Sequence, residues 1–329
     1  MISRRKLLLA IGAGALAVPR FAWAQPAGRT YRIGWLQSIN DINDPYSQAF
    51  VQRLRELGLV EGRNLVIEFR HADGRPERLR DLAVDLAREN CDLFFGGGSE
   101  AQLIAMRQAS RDTPIVFVAV DFDPVATGHL SSLARPDGRI TGITALQSNL
   151  PAKRLELLKE LLPGARKVAV FANAATTGQL AVVQDAAPRI GMALHVVDFK
   201  SPPPPFDYEA GFVDVVRANA DALLVLGSAL WVPARRKIPE LALKHRLPTM
   251  FHHSQWAESG GLLSYGFNFS EMFRRAAEQT AAILRGAKAA DIPMEQGVKF
   301  EFTVNMKTAK ALDIKVPQSI LLRADRVIE

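Results

Sequence analysis

The sequence predicts an α/β protein built from two doubly wound lobes, each with a parallel sheet. Strand-like and helix-like runs alternate along the chain with little else between them, which is typical of parallel sheets covered by helices. The alternation starts again near residue 138, so that two similar halves follow one another. The length of 329 residues is also enough for two domains of ordinary size.

The first 24 residues have the pattern of a cleavable export signal. A positive segment, Ser3–Lys6, precedes the apolar run Leu7–Val18, and Ala22–Ala24 (AWA) matches a cleavage pattern before Gln25. This apolar run is shorter than the ~20 residues that span a bilayer core, so a retained transmembrane helix is the weaker interpretation. The pair Arg4-Arg5 resembles a twin-arginine signal, and both Sec and twin-arginine export stay open. The sequence therefore predicts a periplasmic protein.

The charge balance gives no reason to expect nucleic acid or a membrane surface as a partner. Residues 1–24 contain four basic residues and no acidic one, so their removal lowers the formal net charge from +7 to +3. An excess this small, spread over residues 25–329, does not make a basic binding surface. Cys91 is the only cysteine and excludes an intramolecular disulfide. Burial of apolar side chains must therefore stabilise the fold.

The first half of the mature chain contains four apolar strand candidates separated by helix candidates. The run Ile115–Val120 (IVFVAV) is continuously apolar, as expected for a strand buried on both faces. Gly58 is placed to end the first helix. The predicted strands are Tyr31–Gln37, Leu65–Phe69, Leu93–Phe95 and Ile115–Val120, and the predicted helices are 45–57, 76–89 and one that begins after Ser99.

The second half repeats this layout after the glycine-punctuated run Gly138–Leu146. The predicted strands are Lys167–Phe171, Ala193–Phe199, Ala222–Leu226, Pro248–Phe251 and Gly261–Gly266, and the predicted helices are 153–162, one ending at Ile190, 208–218 and 234–245. A further helix over 271–285 is predicted to return to the first lobe. These patterns assign 28–143 plus about 268–292 to lobe 1, and 144–267 plus about 293–329 to lobe 2.

One stretch in the first half has the layout of a ligand site. Leu93–Phe95 leads into Gly96, Gly97 and Gly98, and Ser99 then occupies an N-cap position before a helix. Glycines allow a ligand to approach the backbone, and exposed N–H groups at a helix N-terminus favour a carboxylate or phosphate. The alternative is an ordinary strand-to-helix turn of an α/β fold.

Several short segments of the chain form a recognisable set. They are Gln52–Glu68 (QRLRELGLVEGRNLVIE), Asp123–Val125, Leu133–Pro136, Arg154–Glu160, Leu262–Gly266, Thr308–Leu312 and Ser319–Glu329. This set resembles the family of ABC transporter substrate-binding proteins that includes TrpX-like proteins. The resemblance implies a type I periplasmic-binding-protein fold, in which two lobes joined by a three-crossover hinge close over a small molecule. It also implies an ABC permease as partner, and relatives of this kind bind aromatic amino acids.

The resemblance places the ligand between the carboxyl ends of strands from both lobes, which is also where open α/β sheets generally bind ligands. Polar and small residues follow the predicted strands at these ends. The candidates are Ser38, Asn40, Gly98, Ser99 and Asp121 in lobe 1, and Asn173, Thr176, Thr177, Ser228, Trp231 and His252 in lobe 2.

These candidates predict a chemistry for the ligand. Helix N-termini facing the cleft would receive a carboxylate, Asp121 would receive an ammonium group, and Trp231 would stack on a flat ligand. The family usually has a small residue and then a proline after the glycines, whereas this chain has Ser99-Glu100. The added negative charge argues against an amino-acid carboxylate at that helix. For Trp231, the alternative is a place in the core of lobe 2.

Two enzyme classes are weaker alternatives. Gly97–Ala101 (GGSEA) nearly matches the nucleophile elbow G-x-S-x-G of serine hydrolases, and His252 follows later in the chain, but the last glycine is missing. The glycine run is also not the G-x-G-x-x-G of dinucleotide-binding folds. Six histidines without an H-E-x-x-H motif or cysteine partners predict no metal. We therefore expect neither an enzyme nor a cofactor.

The predicted function is that of a monomeric periplasmic solute-binding protein of an ABC importer. It would capture an amino acid, or another aromatic or carboxylate compound, by hinge closure. A ligand-loaded sensor partner of a membrane receptor is the alternative that the sequence leaves open.

Overall fold

The structure is a computed structural model that describes residues 29–39, 41–120, 122–136, 138–145, 150–199, 206–297 and 299–329. The predicted signal peptide and the candidates Asn40 and Asp121 lie outside these ranges. Within them, every helix is too short or too polar to cross a bilayer. The same residues contain no group of three or more His, Cys, Asp or Glu side chains that could hold a metal ion.

Strands and helices alternate through the unit Tyr31–Glu329. The strands are β1 (Tyr31–Gln37), β2 (Leu65–His71), β3 (Leu93–Gly98), β4 (Ile115–Val120), β5 (Ile140–Ala145), β6 (Lys167–Asn173), β7 (Ala193–Phe199), β8 (Ala222–Val225), β9 (Thr249–Phe251), β10 (Leu263–Phe267), β11 (Glu295–Gln296), β12 (Phe300–Asn305) and β13 (Arg326–Ile328). The helices are α1 (Pro45–Glu56), α2 (Leu79–Arg88), α3 (Glu100–Ala109), α4 (Leu150–Leu161), α5 (Thr177–Arg189), α6 (Tyr208–Arg217), α7 (Lys237–Lys244), α8 (Ser254–Glu258), α9 (Phe269–Leu284), α10 (Met306–Ala311) and α11 (Gln318–Leu321).

The strands form two sheets, one in each lobe. The first sheet has the order β11-β5-β4-β3-β1-β2, and all of its pairs are parallel. The second has the order β13-β12-β10-β9-β8-β6-β7, in which only the pair β10–β12 is antiparallel. The predicted class, α/β with two doubly wound lobes, is confirmed.

The chain passes between the two sheets three times, after β5, after β10 and after β11. The crossovers lie side by side and are joined by backbone hydrogen bonds. The N–H of Asn268 donates to the carbonyl of Lys299, and the N–H of Gly297 donates to the carbonyl of Thr144, each at 2.9 Å. The second crossover leads into α9, which packs against α1 and the first sheet.

Each sheet is covered by helices on both faces, and this explains its continuously apolar strands. On β4, Val116 and Val118 pack with α1 and α9, whereas Ile115, Phe117 and Ala119 pack with α2 and α3 on the other face. Two further core clusters cover the faces of the second sheet in the same way. Because successive strand residues point to opposite faces, both sets must be apolar.

The glycine run lies beyond the strand predicted over Leu93–Phe95, but the observed strand includes it. β3 continues through Gly98, so the glycines are part of the strand. They allow close packing: a Cβ on Gly96 would lie 2.9 Å from Nε2 of Gln102, and one on Gly97 would lie 3.2 Å from Cβ of Val118. Gly98 also has a φ of +145°, which residues with a side chain rarely adopt.

Two short segments join the first sheet from outside the predicted limits of lobe 1. β5 runs to Ala145 along β4, and Glu295 of β11 pairs with Ile143 of β5. This pairing extends the sheet by one short strand on its β5 side and satisfies backbone groups that would otherwise be exposed there.

Candidate functional site

A cavity of about 400 Å³ lies between the two lobes, at the carboxyl ends of their parallel strands. This volume is within the ~300–1,000 Å³ of small-molecule sites. The first lobe contributes Gln37, Ser38, Ile39, Tyr46, Gly74, Pro76, Gly97, Gly98, Ser99, Glu100, Ala101, Val120 and Phe122, the second contributes Ala175, Ser228, Leu230, Val232, Arg235, His252, His253 and Gln255, and α9 adds Phe269 and Phe273.

Five of the predicted site residues line this cavity. They are Ser38, Gly98, Ser99, Ser228 and His252. All five follow or end strands of the two sheets, as expected for an edge where parallel strands finish together. Ser99 occupies the N-cap position of α3, but its side chain makes no capping hydrogen bond. Contact of these residues with a ligand stays a prediction.

Three predicted residues at or just beyond the end of β6 do not line the cavity. Asn173 and Thr176 form a capping box, in which the N–H of Asn173 donates to Oγ1 of Thr176 at 2.9 Å and the side chain of Asn173 accepts from Ala175. Thr177 is exposed, and its hydroxyl donates to the carbonyl of Ala174. These hydrogen bonds use the Oδ1 atom of Asn173 and the hydroxyls of Thr176 and Thr177, whereas Nδ2 of Asn173 has no partner among the described residues. Ala175 lines the cavity instead.

The prediction that Trp231 stacks on the ligand is also corrected by the structure. Its indole is fully buried in the core of the second lobe, between Phe199 and Phe206, and Nε1 donates to the carbonyl of Leu226 at 2.8 Å. A short 3₁₀ helix, Ala229–Ala234, directs this ring inward, and the neighbouring Leu230 and Val232 line the cavity.

Tyr46 is a cavity residue that the sequence analysis missed. Asp44 caps α1 and accepts from the N–H of Tyr46 at 2.8 Å and from the hydroxyl of Ser47 at 2.7 Å, which fixes the first turn. The Tyr46 ring lies beside those of Phe269 and Phe273. Burial raises the pKa of Tyr46 well above its ordinary value. The signal that could have found it is its place in the loop-to-helix segment after β1.

Tyr46 makes a hydrogen bond across the cavity. Its hydroxyl lies 3.1 Å from Nδ1 of His253, which belongs to the second lobe. Nε1 of Trp256 donates to Nε2 of the same imidazole at 3.2 Å. Because an indole N–H can only donate, Nε2 must be the unprotonated nitrogen, and Nδ1–H donates to the Tyr46 oxygen. Burial, together with the charges of Arg235 and Arg154, lowers the pKa of His253 to about 3.

His252 is a buried imidazole that lines the cavity from the second lobe. Burial lowers the pKa of His252 well below its ordinary value, and the charges of His253 and Arg154 act in the same direction. Its Nδ1 has no hydrogen-bond partner among the described residues.

Two charged side chains are found among the described residues that line the cavity, Glu100 and Arg235. Oε1 of Glu100 accepts from Nε2 of His129 at 2.8 Å. Arg235 is half-buried and donates through Nη1 to Oε1 of Gln255. Arg235 and Gln255 are also absent from the predicted site, because Arg235 lies within the predicted helix 234–245 and Gln255 follows the last candidate, His252.

Comparisons with known proteins agree with this architecture. A family model described as ABC transporter substrate binding protein matches residues 40–328. A tyrosine-binding protein of Clostridioides difficile (strain R20291) is 25% identical over 272 residues, which are 83% of this chain and 77% of that protein.

Solved structures share the fold over most of the chain. A conserved domain protein from Vibrio cholerae has a TM-score of 0.80 at 23% identity, and an ABC domain from Streptococcus pneumoniae in complex with L-Trp has 0.78 at 22%; each covers 91% of this chain and 100% of its own. The ligand-free, open structure of a substrate binding protein with adhesive properties from Clostridium difficile has 0.66 at 24%, covering 91% and 99%.

Proposed function

The chain belongs to the family of ABC transporter substrate-binding proteins, and from this premise we propose that it is the periplasmic solute-binding component of an ABC importer. The family assignment confirms the resemblance seen in the sequence, and with it the type I periplasmic-binding-protein fold. The observation that carries the proposal is the cavity between the lobes. Export through residues 1–24, a monomeric state and a permease partner are parts of the same proposal.

We infer that the ligand is an aromatic compound with a carboxylate, and that aromatic amino acids are the first class to test. The rings of Tyr46, Phe122, Phe269 and Phe273 give the cavity a largely apolar wall, and Arg235 adds a positive charge. This combination suits a flat apolar body with one anionic end. The names of two similar proteins, a tyrosine-binding protein and an L-Trp complex, support the same class.

The proposed mechanism is hinge closure. The hydrogen bond between Tyr46 and His253 joins the lobes, and the three adjacent crossovers are the short segments that would absorb a rotation. A ligand that contacts both lobes binds the closed state better and therefore increases its population. The permease would recognise that state.

The test is ligand screening of residues 25–329, unfolded and refolded to remove any ligand carried from the host. L-tyrosine, L-tryptophan, L-phenylalanine, branched amino acids and aromatic acids without an amine would be compared by thermal shift and then by titration calorimetry. A ligand at about 100 times its Kd stabilises the folded state by ~2.7 kcal/mol, which raises Tm by several degrees. No shift with any aromatic amino acid or aromatic acid would contradict the proposed ligand class.

The closure mechanism and the absence of catalysis are tested separately. Small-angle scattering should show a smaller radius of gyration when a binding ligand is added, and an unchanged radius would contradict hinge closure. In an esterase assay, we expect no turnover by the wild-type protein. Turnover that disappears in Ser99→Ala would instead support the hydrolase alternative.

A further inference from the structure

Arg235 is the cationic side chain through which the second lobe reaches the cavity. It follows the 3₁₀ helix Ala229–Ala234, is half-buried and lines the cavity wall. Its polar partner in the described part of the chain is the neutral amide of Gln255, and no carboxylate of that part lies within ion-pair distance. A half-buried cation that faces a ligand cavity, with no ionic partner among the residues described, is suited to bind an anionic group of the ligand.

From this arrangement we propose that Arg235 binds the carboxylate of the ligand and that Gln255 positions its guanidinium group. The inference rests on the proposed function, because it assigns a recognition role within the same cavity. It also gives the anion a different site from the one predicted from the sequence. Helix N-termini facing the cleft are the anion site predicted from the sequence, with Glu100 arguing against the one at α3, whereas Arg235 lies in the second lobe.

Gln255 is held in the orientation that this role requires. A guanidinium group has five donors and no acceptor, so the amide of Gln255 must turn Oε1 towards Arg235. Its Nε2 is buried and has no hydrogen-bond partner among the described residues. The remaining Arg235 donors and this amide group therefore make one edge of the cavity rich in donors and positively charged. A carboxylate, with two acceptor oxygens and a negative charge, is the matching group.

The acidic side chains described near the cavity form no ion pair with Arg235. The carboxylate of Asp44 accepts from the N–H groups of Tyr46 and Ser47 and from the Ser47 hydroxyl within the α1 cap. Burial raises the pKa of Asp44, and the charge of Arg235 opposes this effect only at longer range. Glu100 accepts from His129. Its negative charge near the N-terminus of α3 would repel a second carboxylate there. Both facts favour the Arg235 edge of the cavity for the anionic end of the ligand.

The experiment compares four proteins with matched probes by titration calorimetry. The proteins are the wild type, Arg235→Gln, Arg235→Lys and the control Arg236→Gln, in which the neighbouring exposed arginine is changed. The probes are L-tryptophan, indole-3-propionate and L-tryptophanamide, so that the carboxylate and the amine are each removed in turn. L-tyrosine and its amide form a second pair. Thermal melting without ligand checks that each variant is folded.

We expect Arg235→Gln to weaken binding of the carboxylate probes by at least about 30-fold, the range for removing one partner of a desolvated charge pair. The preference of the wild type for the acid over the amide should fall by a similar factor in this variant. The affinity of Arg235→Lys for the carboxylate probes should lie between those of the wild type and Arg235→Gln. Lysine keeps the positive charge but lacks the planar guanidinium group. Arg236→Gln should bind like the wild type within about twofold.

The outcomes separate this inference from the proposed function. If the wild type binds the carboxylate probes and Arg235→Gln binds them equally well, the role of Arg235 is wrong and the solute-binding function stands. The same conclusion follows if Arg235→Gln weakens the acid and the amide by the same factor. If the wild type binds none of the probes, the proposed ligand class is wrong, and the carboxylate role of Arg235 is overturned with it.

Discussion

The phenolic oxygen of Tyr46 and Nδ1 of His253 lie 3.1 Å apart and connect the first lobe to the second. The indole of Trp256 occupies the other nitrogen of the imidazole, so the single ring proton of His253 faces the tyrosine. Both side chains are buried and line the cavity. Rotation of the lobes away from each other would break this hydrogen bond, whereas the bond to Trp256 lies within the second lobe.

The first prediction concerns this contact. Tyr46→Phe keeps the ring among Phe269 and Phe273 but leaves the Nδ1–H of His253 without an acceptor in the closed state. An unsatisfied buried donor costs about 1 to 3 kcal/mol. This penalty is smaller in the open state, so the variant closes less favourably. Ligand affinity measured by calorimetry should therefore fall by roughly 5- to 150-fold.

The matched control is Tyr208→Phe, which removes the hydroxyl of a tyrosine in the second lobe that packs on Phe199 and Phe206 away from the cavity. It should leave ligand affinity within about twofold of the wild type. Equal affinities of Tyr46→Phe and the wild type would show that the interlobe hydrogen bond does not contribute to closure.

The second prediction is a loss of stability on mild acidification. Burial lowers the pKa of His253 to about 3 and that of His252 well below its ordinary value. A histidine with a depressed folded pKa binds its proton mainly in the unfolded state. Its stabilising effect is therefore complete above the unfolded pKa of about 6.5 and is lost as pH falls below it. Each such histidine should reduce the free energy of unfolding by roughly 1.4 kcal/mol between pH 7.5 and 5.5.

Denaturant unfolding at these two pH values, for the wild type and His253→Asn, measures the contribution of one ring. The decrease between pH 7.5 and 5.5 should be smaller in the variant by roughly 1.4 kcal/mol. The raised pKa values of Asp44 and Glu301 act in the opposite direction in both proteins, so the difference between them isolates the histidine. An identical decrease in the two proteins would mean that His253 accepts a proton in the folded state.

The third prediction separates core residues from ligand residues. Trp231→Phe removes a hydrogen bond to Leu226 and leaves space in the second-lobe core, so the free energy of unfolding should fall by about 2 to 4 kcal/mol. Ligand affinity of the folded variant should stay within about twofold. Phe269→Leu, which changes the cavity wall, should instead weaken an aromatic ligand. A tenfold loss of affinity in Trp231→Phe would support stacking of its indole on the ligand.

The fold could be predicted because its local patterns carry most of the information. β4 is a continuous apolar run, since helices cover both faces of its sheet, and the amphipathic helices between strands indicate crossovers. The strands at the sheet edges are harder to predict from the sequence. β11 has two residues and joins β5 over 150 positions away in sequence, and no periodic pattern in so short a segment can specify that pairing.

The ends of the predicted strands indicate where the site lies, but they do not indicate which side chains face it. Ser38, Ser99 and His252 reach the cavity because parallel strands end at a common edge. The direction of a side chain beyond a strand depends on the local turn, and a 3₁₀ helix turns Trp231 into the core. The role of Arg235 depends on the position of the lobe that faces it, and the local sequence around Arg235 carries no information on that position.

The last prediction concerns the close approach of two strand ends beneath the cavity. A Cβ on Gly266 of β10 would lie 1.8 Å from the carbonyl oxygen of His252, so Gly266→Ala must displace backbone beside a cavity residue. The free energy of unfolding should fall by at least about 2 kcal/mol, and ligand affinity should fall with it. Gly164→Ala is the control, because nothing lies within 4 Å of its added Cβ, and it should change stability by less than about 0.5 kcal/mol. Of these two glycines, Gly266 is the one whose added Cβ would meet another segment of backbone. Equal stabilities of the two variants in denaturant unfolding would therefore show that the close approach of Gly266 to His252 does not limit stability.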